Sequence, residues 1–187
     1  MSHEADQAES SLRELDGLTG RTRRASRSMA TGFPLVGWGT AYILGLAALD
    51  LLDGLMRVLV AALAWMVGML LSWLPLRTVI RTGLETRMRW AWLVVLVASP
   101  FLVAAAQPSS FTHGVLLLAA LWGLAMCLYG IATDDRVLAV AAGFGIVMAA
   151  VLADMDIPSQ LLWFGLSAGL PLLTLGICRV LRGISRV

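Results

Sequence analysis

Lysine is missing from this chain, and all fourteen basic residues are arginine. Charge of either sign is scarce, at 14% of residues against about one-quarter in an average soluble domain. A net charge of +2 is too small to mark a nucleic-acid binder. The apolar share of 59% and a mean hydropathy of +0.82 exceed what a 187-residue core can bury, so lipid must cover most of it. Cysteine is limited to Cys127 and Cys178, each inside an apolar run. That spacing excludes a CxxC redox pair and a cysteine-rich zinc cluster, and the two thiols read as small packing groups. The first thirty residues are polar and no cleavage motif ends the first apolar run, so no signal peptide is expected.

Ionisable residues are also missing from the middle third of every long apolar run. Charges at membrane depth mark ion paths and proton relays, so their absence argues against a proton-coupled antiporter or a rhodopsin-like counter-ion pair. It leaves hydroxyls such as Thr40, Tyr42, Ser99, Ser167 and Thr174 to grip any ligand, or leaves the ligand apolar.

Six apolar runs are long enough to cross a bilayer as helices: 33–49, 55–74, 90–106, 115–132, 137–153 and 161–180. None alternates with period two, which excludes a β-barrel. The expected fold class is therefore all-α: a polytopic membrane protein with a compact six-helix transmembrane bundle. Its connectors are short, so consecutive helices are expected to be antiparallel neighbours.

The arginines orient it. With the N-terminus inside, the cytoplasmic segments hold every arginine except Arg57, and the outer loops carry Asp50, Asp53, Asp154, Asp156 and His113. Such a bias places both termini in the cytoplasm. Three parts follow: a polar tail over 1–31, the six-span domain over 32–181 and a short basic end over 182–187. The tail closes on Arg21, Arg23, Arg24 and Arg27, a juxtamembrane cluster worth up to about 1 kcal/mol per arginine on anionic lipid. Trp38, Trp73, Trp90 and Trp92 fall towards the inner interface and Trp163 at the outer one, as interfacial anchors. Trp65 and Trp122 fall near mid-membrane, where they either stack on a ligand or fill space between helices.

Several motifs bear on chemistry. "GLSAG", Gly165 to Gly169, has the G-x-S-x-G form of a nucleophile elbow. It lies inside a span, and the nearest candidate base, His113, lies in an outer loop, so a small-residue contact stripe is the better reading. Similar stripes, Ala119–Gly123–Cys127 in the fourth span and Ala141–Gly145–Ala149–Ala153 in the fifth, imply tight packing of spans four to six. Pro100 and Pro171 interrupt spans three and six, as in broken helices that line transport sites and in ordinary bent spans alike. The outer acids have no ligand spacing on one helix face; Asp53 is instead placed to cap the second span and to pair with Arg57. Neither a catalytic set, a metal site nor a cofactor is predicted.

The segment "LPLRTVIRTGLETRMRW" between spans two and three sets Arg77, Arg81, Glu85 and Arg89 at four-residue spacing on one helix face, with Arg87 beside them. Pro75 is placed to start that helix and Gly83 to weaken its middle. This basic loop would seat lipid phosphates or a cytoplasmic partner, or merely extend two spans to the headgroups.

A basic N-terminal segment, six spans and a helical loop after the second resemble the permeases of ATP-binding-cassette exporters. "RTGLE", Arg81 to Glu85, resembles a Gly-Thr-Leu-Glu run in their loop, with the threonine between glycine and leucine missing. That resemblance implies an ATPase docking on the loop. The size is similar to the six-span substrate-binding subunits of energy-coupling-factor vitamin importers. The whole chain resembles small arginine-rich actinobacterial membrane proteins of unknown function.

The leading expectation is a non-enzymatic subunit of a transport or efflux assembly in a bacterial inner membrane. Its inner-face site would comprise Arg77, Arg81, Arg87, Arg89, Arg23 and Arg24. The partners expected are anionic inner-leaflet lipids, a cytoplasmic protein such as an ATPase subunit and a further copy of the chain, but no nucleic acid. The alternative is a membrane scaffold or sensor holding an apolar ligand or lipid between helices, near Trp65, Trp122, Tyr42 and Ser167.

Overall fold

The computed structural model describes residues 31–73 and 83–184, and the side chains of 31–72 and 90–184. Among them the chain forms helices and short connectors. The helices are α1 (Thr31–Leu51), α2 (Gly54–Trp73), α3 (Gly83–Ala106), α4 (Phe111–Ala132), α5 (Arg136–Asp154) and α6 (Gln160–Ile184). A backbone in lipid must satisfy its own polar groups, and a helix does so even where Gly and Val are frequent. The connectors reverse direction on single left-handed residues: Gly54, Gln107, Asp134 and Ser159, with φ of 58°, 45°, 53° and 59°.

Among the described residues, five helices are long and apolar enough to cross a membrane. The apolar part of α3, Trp90–Ala106, is shorter. It spans about 25 Å at 1.5 Å per residue, and the turns at 83–89 continue the same helix. The backbone of Gly83 is helical and continuous with the apolar part of α3, while Pro75 and the expected start of the loop helix lie outside the described residues.

α1 is the hub. Half of its apolar window is buried, against 17% for α2, so α2 is a peripheral strut on α1. Glycines set the contacts. A Cβ at Gly39 would lie 2.6 Å from the backbone nitrogen of Leu173, and one at Gly176 would lie 2.6 Å from that of Val36. Cβ atoms at Gly165 and Gly169 would meet the carbonyls of Tyr42 and Gly39 at 2.7 and 2.9 Å. Small residues on both partners let the α1 and α6 backbones close up. Gly165 and Gly169 thus face α1, while the expected packing of α4, α5 and α6 forms through other small residues. α4 and α5 pack through Gly123 against Ile146 and Gly130 against Ala139, while Gly145 meets Ala168 of α6.

Consecutive helices are neighbours with one exception. α3 lies on α4, α4 on α5 and α5 on α6, but among the described residues α2 and α3 make no close approach. The side chains at the centre are Leu46, Leu116, Leu161 and Phe164. Outward faces stay apolar: Leu55, Leu59, Leu63 and Leu70 on α2 and Leu93, Val97 and Phe101 on α3 are exposed. Continuous apolar surface of this kind is a lipid-facing or partner-facing surface.

Candidate functional site

The aromatic side chains that the sequence placed at mid-membrane meet. Trp65 of α2 lies edge-to-face against Trp122 of α4, with ring centroids 4.8 Å apart. Trp38 of α1 contacts both, at 5.7 and 5.6 Å. Tyr42 joins them at 6.0 Å from Trp65 and reaches Phe164 of α6 at 5.9 Å. Trp38 therefore turns into the bundle and is no interfacial anchor, because its edge completes this cluster. Each such pair adds about 0.5–1.5 kcal/mol beyond area burial.

Trp122 has a polar tie as well. Its Nε1–H donates to Ser99 Oγ of α3 at 3.0 Å, and the Ser99 hydroxyl donates to the Val95 carbonyl at 2.6 Å. Ser99 is buried. Ser99→Ala would strand the indole N–H, and we expect a loss of about 1–2 kcal/mol with a shift in tryptophan emission, checked by fluorescence-monitored unfolding in detergent.

Beside this tie α3 and α4 leave between them a groove of about 640 Å³. Its walls are Leu96, Pro100, Val103, Pro108, Phe111, Gly114 and Leu118, with Ser99 and Trp122 at its base and Ser110 at its rim. Two sequence features border it. Pro100 stands inside α3 and supplies no N–H to its hydrogen-bond ladder. Gly114 leaves space that a side chain would take, since a Cβ there would come 3.3 Å from Pro108 Cγ and 3.8 Å from Val103 Cγ1. From Phe111 to Trp122 the groove runs about 16 Å along α4 at 1.5 Å per residue. That is half of the ~30 Å hydrocarbon core. Its volume lies within the roughly 300–1,000 Å³ of small-ligand sites. A second cavity, bounded by Tyr42, Gly123, Gly145 and Phe164, measures about 20 Å³ and could hold one water but no ligand.

Polar contacts close both ends of the bundle. At the end holding the α1 N-terminus, Arg179 Nη2 lies 2.6 Å from Asp135 Oδ2 and donates to Oδ1 at 2.7 Å. Arg179 Nη1 donates to Thr31 Oγ1 at 3.1 Å. Asp135 is also the N-cap of α5, accepting from Leu138 N at 3.1 Å. One contact set thus ties α1, α5 and α6. The nearby pair Arg136–Asp134, 3.8 Å apart and about 90% exposed on both sides, contributes little.

At the other end, Asp50 Oδ2 accepts from Leu162 N at 2.8 Å, so the end of α1 caps α6. His113 sits in the first turn of α4 and not in a loop. Its Nδ1 pairs with Ser110 Oγ at 2.6 Å and its Nε2 with the Ala153 carbonyl at 3.0 Å. Arg57 Nε donates to the Leu49 carbonyl at 2.6 Å, and the guanidinium lies 5.6 Å from the centroid of Phe111. The expected Asp53–Arg57 ion pair does not form among the described residues; the guanidinium instead caps the end of α1.

The predicted ligand residues therefore separate. Trp122 reaches the groove, Trp65 backs it through the cluster, and Tyr42 lines the small inner cavity. Ser167 donates to the Phe164 carbonyl of its own helix at 3.2 Å. It has no contact with His113, whose two ring nitrogens are engaged elsewhere. Arg23, Arg24, Arg77 and Arg81 lie outside the described residues. Arg87 and Arg89 lie on the helical backbone of 83–89, where no side chain is described. Cys127 is half-buried, Cys178 is exposed, and neither is paired. Among the described residues no group of three or more metal-ligating side chains comes together.

Sequence reasoning missed Asp135, the Arg179 contact and the role of Gly114. "TDDR", Thr133 to Arg136, did carry a signal: an acid stands immediately before an apolar run, where an N-cap belongs. No family model, curated protein or solved structure matches this chain.

Proposed function

We propose that this chain is a non-enzymatic, six-span protein of a bacterial inner membrane that holds a lipid acyl chain between α3 and α4, as a scaffold or sensor. The groove beside Trp122 carries this reading. It is apolar and is as deep as one leaflet. The arginine bias supports placing both termini in the cytoplasm. α3 then crosses as the sixth span, with the shortness of its apolar part met by local thinning of the bilayer.

Native mass spectrometry from a mild detergent tests the groove. The wild-type chain should retain bound lipid. Gly114→Leu, which fills the groove, should retain at least ten-fold less, while Gly114→Ala retains an intermediate amount. Equal retention by all three would sink the groove reading. Reporter fusions test the topology: those placed after residues 53 and 156 should be active outside the cytoplasm and one at the C-terminus inside it.

A second reading, a subunit of a transport assembly that docks a cytoplasmic partner, is favoured by the arginine rhythm at 77–89 and the helical backbone over 83–89. Its test is a pull-down from native membranes with Arg77, Arg81 and Arg89 changed to glutamine, and unchanged partner recovery would refute it.

A further inference from the structure

Arg57 runs against two trends. It is the lone arginine assigned to the outer side, and it sits in the first turn of α2, where the helix dipole repels a cation. No acid neutralises it among the described residues. Asp50 is committed to Leu162 N, and Asp53, one turn earlier, meets Arg57 only through a backbone contact of 3.5 Å. The guanidinium is nevertheless held in place. Nε–H is fixed on the Leu49 carbonyl, and the Phe111 ring lies 5.6 Å from the central carbon. Four of the five guanidinium N–H groups make no hydrogen bond among the described residues. Phe111 is also a wall of the α3–α4 groove. A half-buried, pre-positioned cation therefore adjoins the end of an apolar channel one leaflet deep.

We infer that the ligand of this groove is an anionic phospholipid of the outer leaflet, with one acyl chain along α3 and α4 and its headgroup phosphate on the Arg57 guanidinium. This rests on the proposed role of the groove and adds the class of lipid. Guanidinium suits the task because its planar fork binds phosphate oxygens two at a time. The carbonyl and ring contacts reduce the entropy lost on binding. The groove's length argues for a lipid over a free anion, since a small anion would leave the apolar channel unused.

The test is lipid competition in detergent micelles, read by native mass spectrometry, between phosphatidylglycerol and phosphatidylcholine with matched acyl chains. Wild-type protein should prefer phosphatidylglycerol by about five-fold, which converts to about 1 kcal/mol. Arg57→Gln should bring the ratio close to one while total lipid retention persists. Arg57→Lys, which keeps the charge but loses the fork, should fall between them, and its thermal midpoint shows whether the outer end is intact. Inorganic phosphate at millimolar concentration should not displace the lipid. A wild-type ratio of one, or a preference that survives Arg57→Gln, overturns the assignment and leaves the groove reading standing. Displacement by inorganic phosphate overturns it in favour of a free-anion site. Failure of the wild-type chain to retain any lipid overturns both readings.

Discussion

Arg179→Ala is expected to lower stability by about 3 kcal/mol, measured as the shift in SDS-driven unfolding from mixed micelles. The basis is the burial of the Asp135–Arg179 pair, whose side chains are only 20% and 14% exposed. Removing the arginine strands a carboxylate that also caps α5, and it removes the donor to Thr31. The aspartate side separates two roles. Asp135→Asn keeps an N-cap acceptor and loses the charge, whereas Asp135→Ala loses both and should cost about 1 kcal/mol more. A double variant, Asp135→Asn with Arg179→Met, removes the pair without leaving a lone charge. It should be more stable than Arg179→Ala alone, since a buried pair often contributes little beyond its apolar replacement. Strictly additive losses would show that the two residues are not energetically coupled.

Gly39→Leu should be at least as damaging. Its first added carbon alone would lie 2.6 Å from Leu173 N and 2.8 Å from Leu173 Cα, backbone atoms that cannot rotate away. The α1 and α6 axes must separate, which opens the contacts of Gly165, Gly169 and Gly176 together. Even Gly39→Ala should cost about 1–3 kcal/mol, and the leucine variant is expected to yield little folded protein on size exclusion. Gly143→Ala is the matched control. A Cβ at Gly143 meets nothing within 4 Å, so its effect should stay within about 0.5 kcal/mol. Equal losses at both positions would mean that these helices tolerate separation.

Helix number and helix ends were legible because hydropathy and charge determine which segments leave water. Helix pairing was legible only in part: the packing of α4, α5 and α6 was expected and forms, but the central place of α1 was not, and the reason is physical. In a soluble helix the apolar stripe marks the buried face, but here lipid and protein interior are equally apolar. Only small and polar residues mark contacts. The glycines at 165 and 169 announced a close approach without saying to which helix, and it is α1 that they meet. Trp38 was misplaced for the same reason: its depth fits an interfacial anchor, and only the neighbours Trp65 and Trp122 show it turned inward. Arg179 read as one more inner arginine because its partner, Asp135, lies 44 residues away. The groove was half legible. Pro100 and Trp122 both stood out in the sequence, but Gly114 acts through the absence of a side chain beside Pro108 and Val103, which becomes visible only when α3 and α4 are placed together.

The central claim, an acyl chain seated between α3 and α4, is tested most directly by photo-crosslinking in a bilayer. The probe is a phospholipid with a diazirine near the end of one acyl chain, and the labelled peptides are mapped by mass spectrometry. Adducts should concentrate on residues 96–103 and 114–122 and should disappear from both segments in Gly114→Leu, while labelling of the exposed face of α2 stays unchanged. Adducts spread evenly over the lipid-facing helices, with a pattern indifferent to Gly114→Leu, would contradict it.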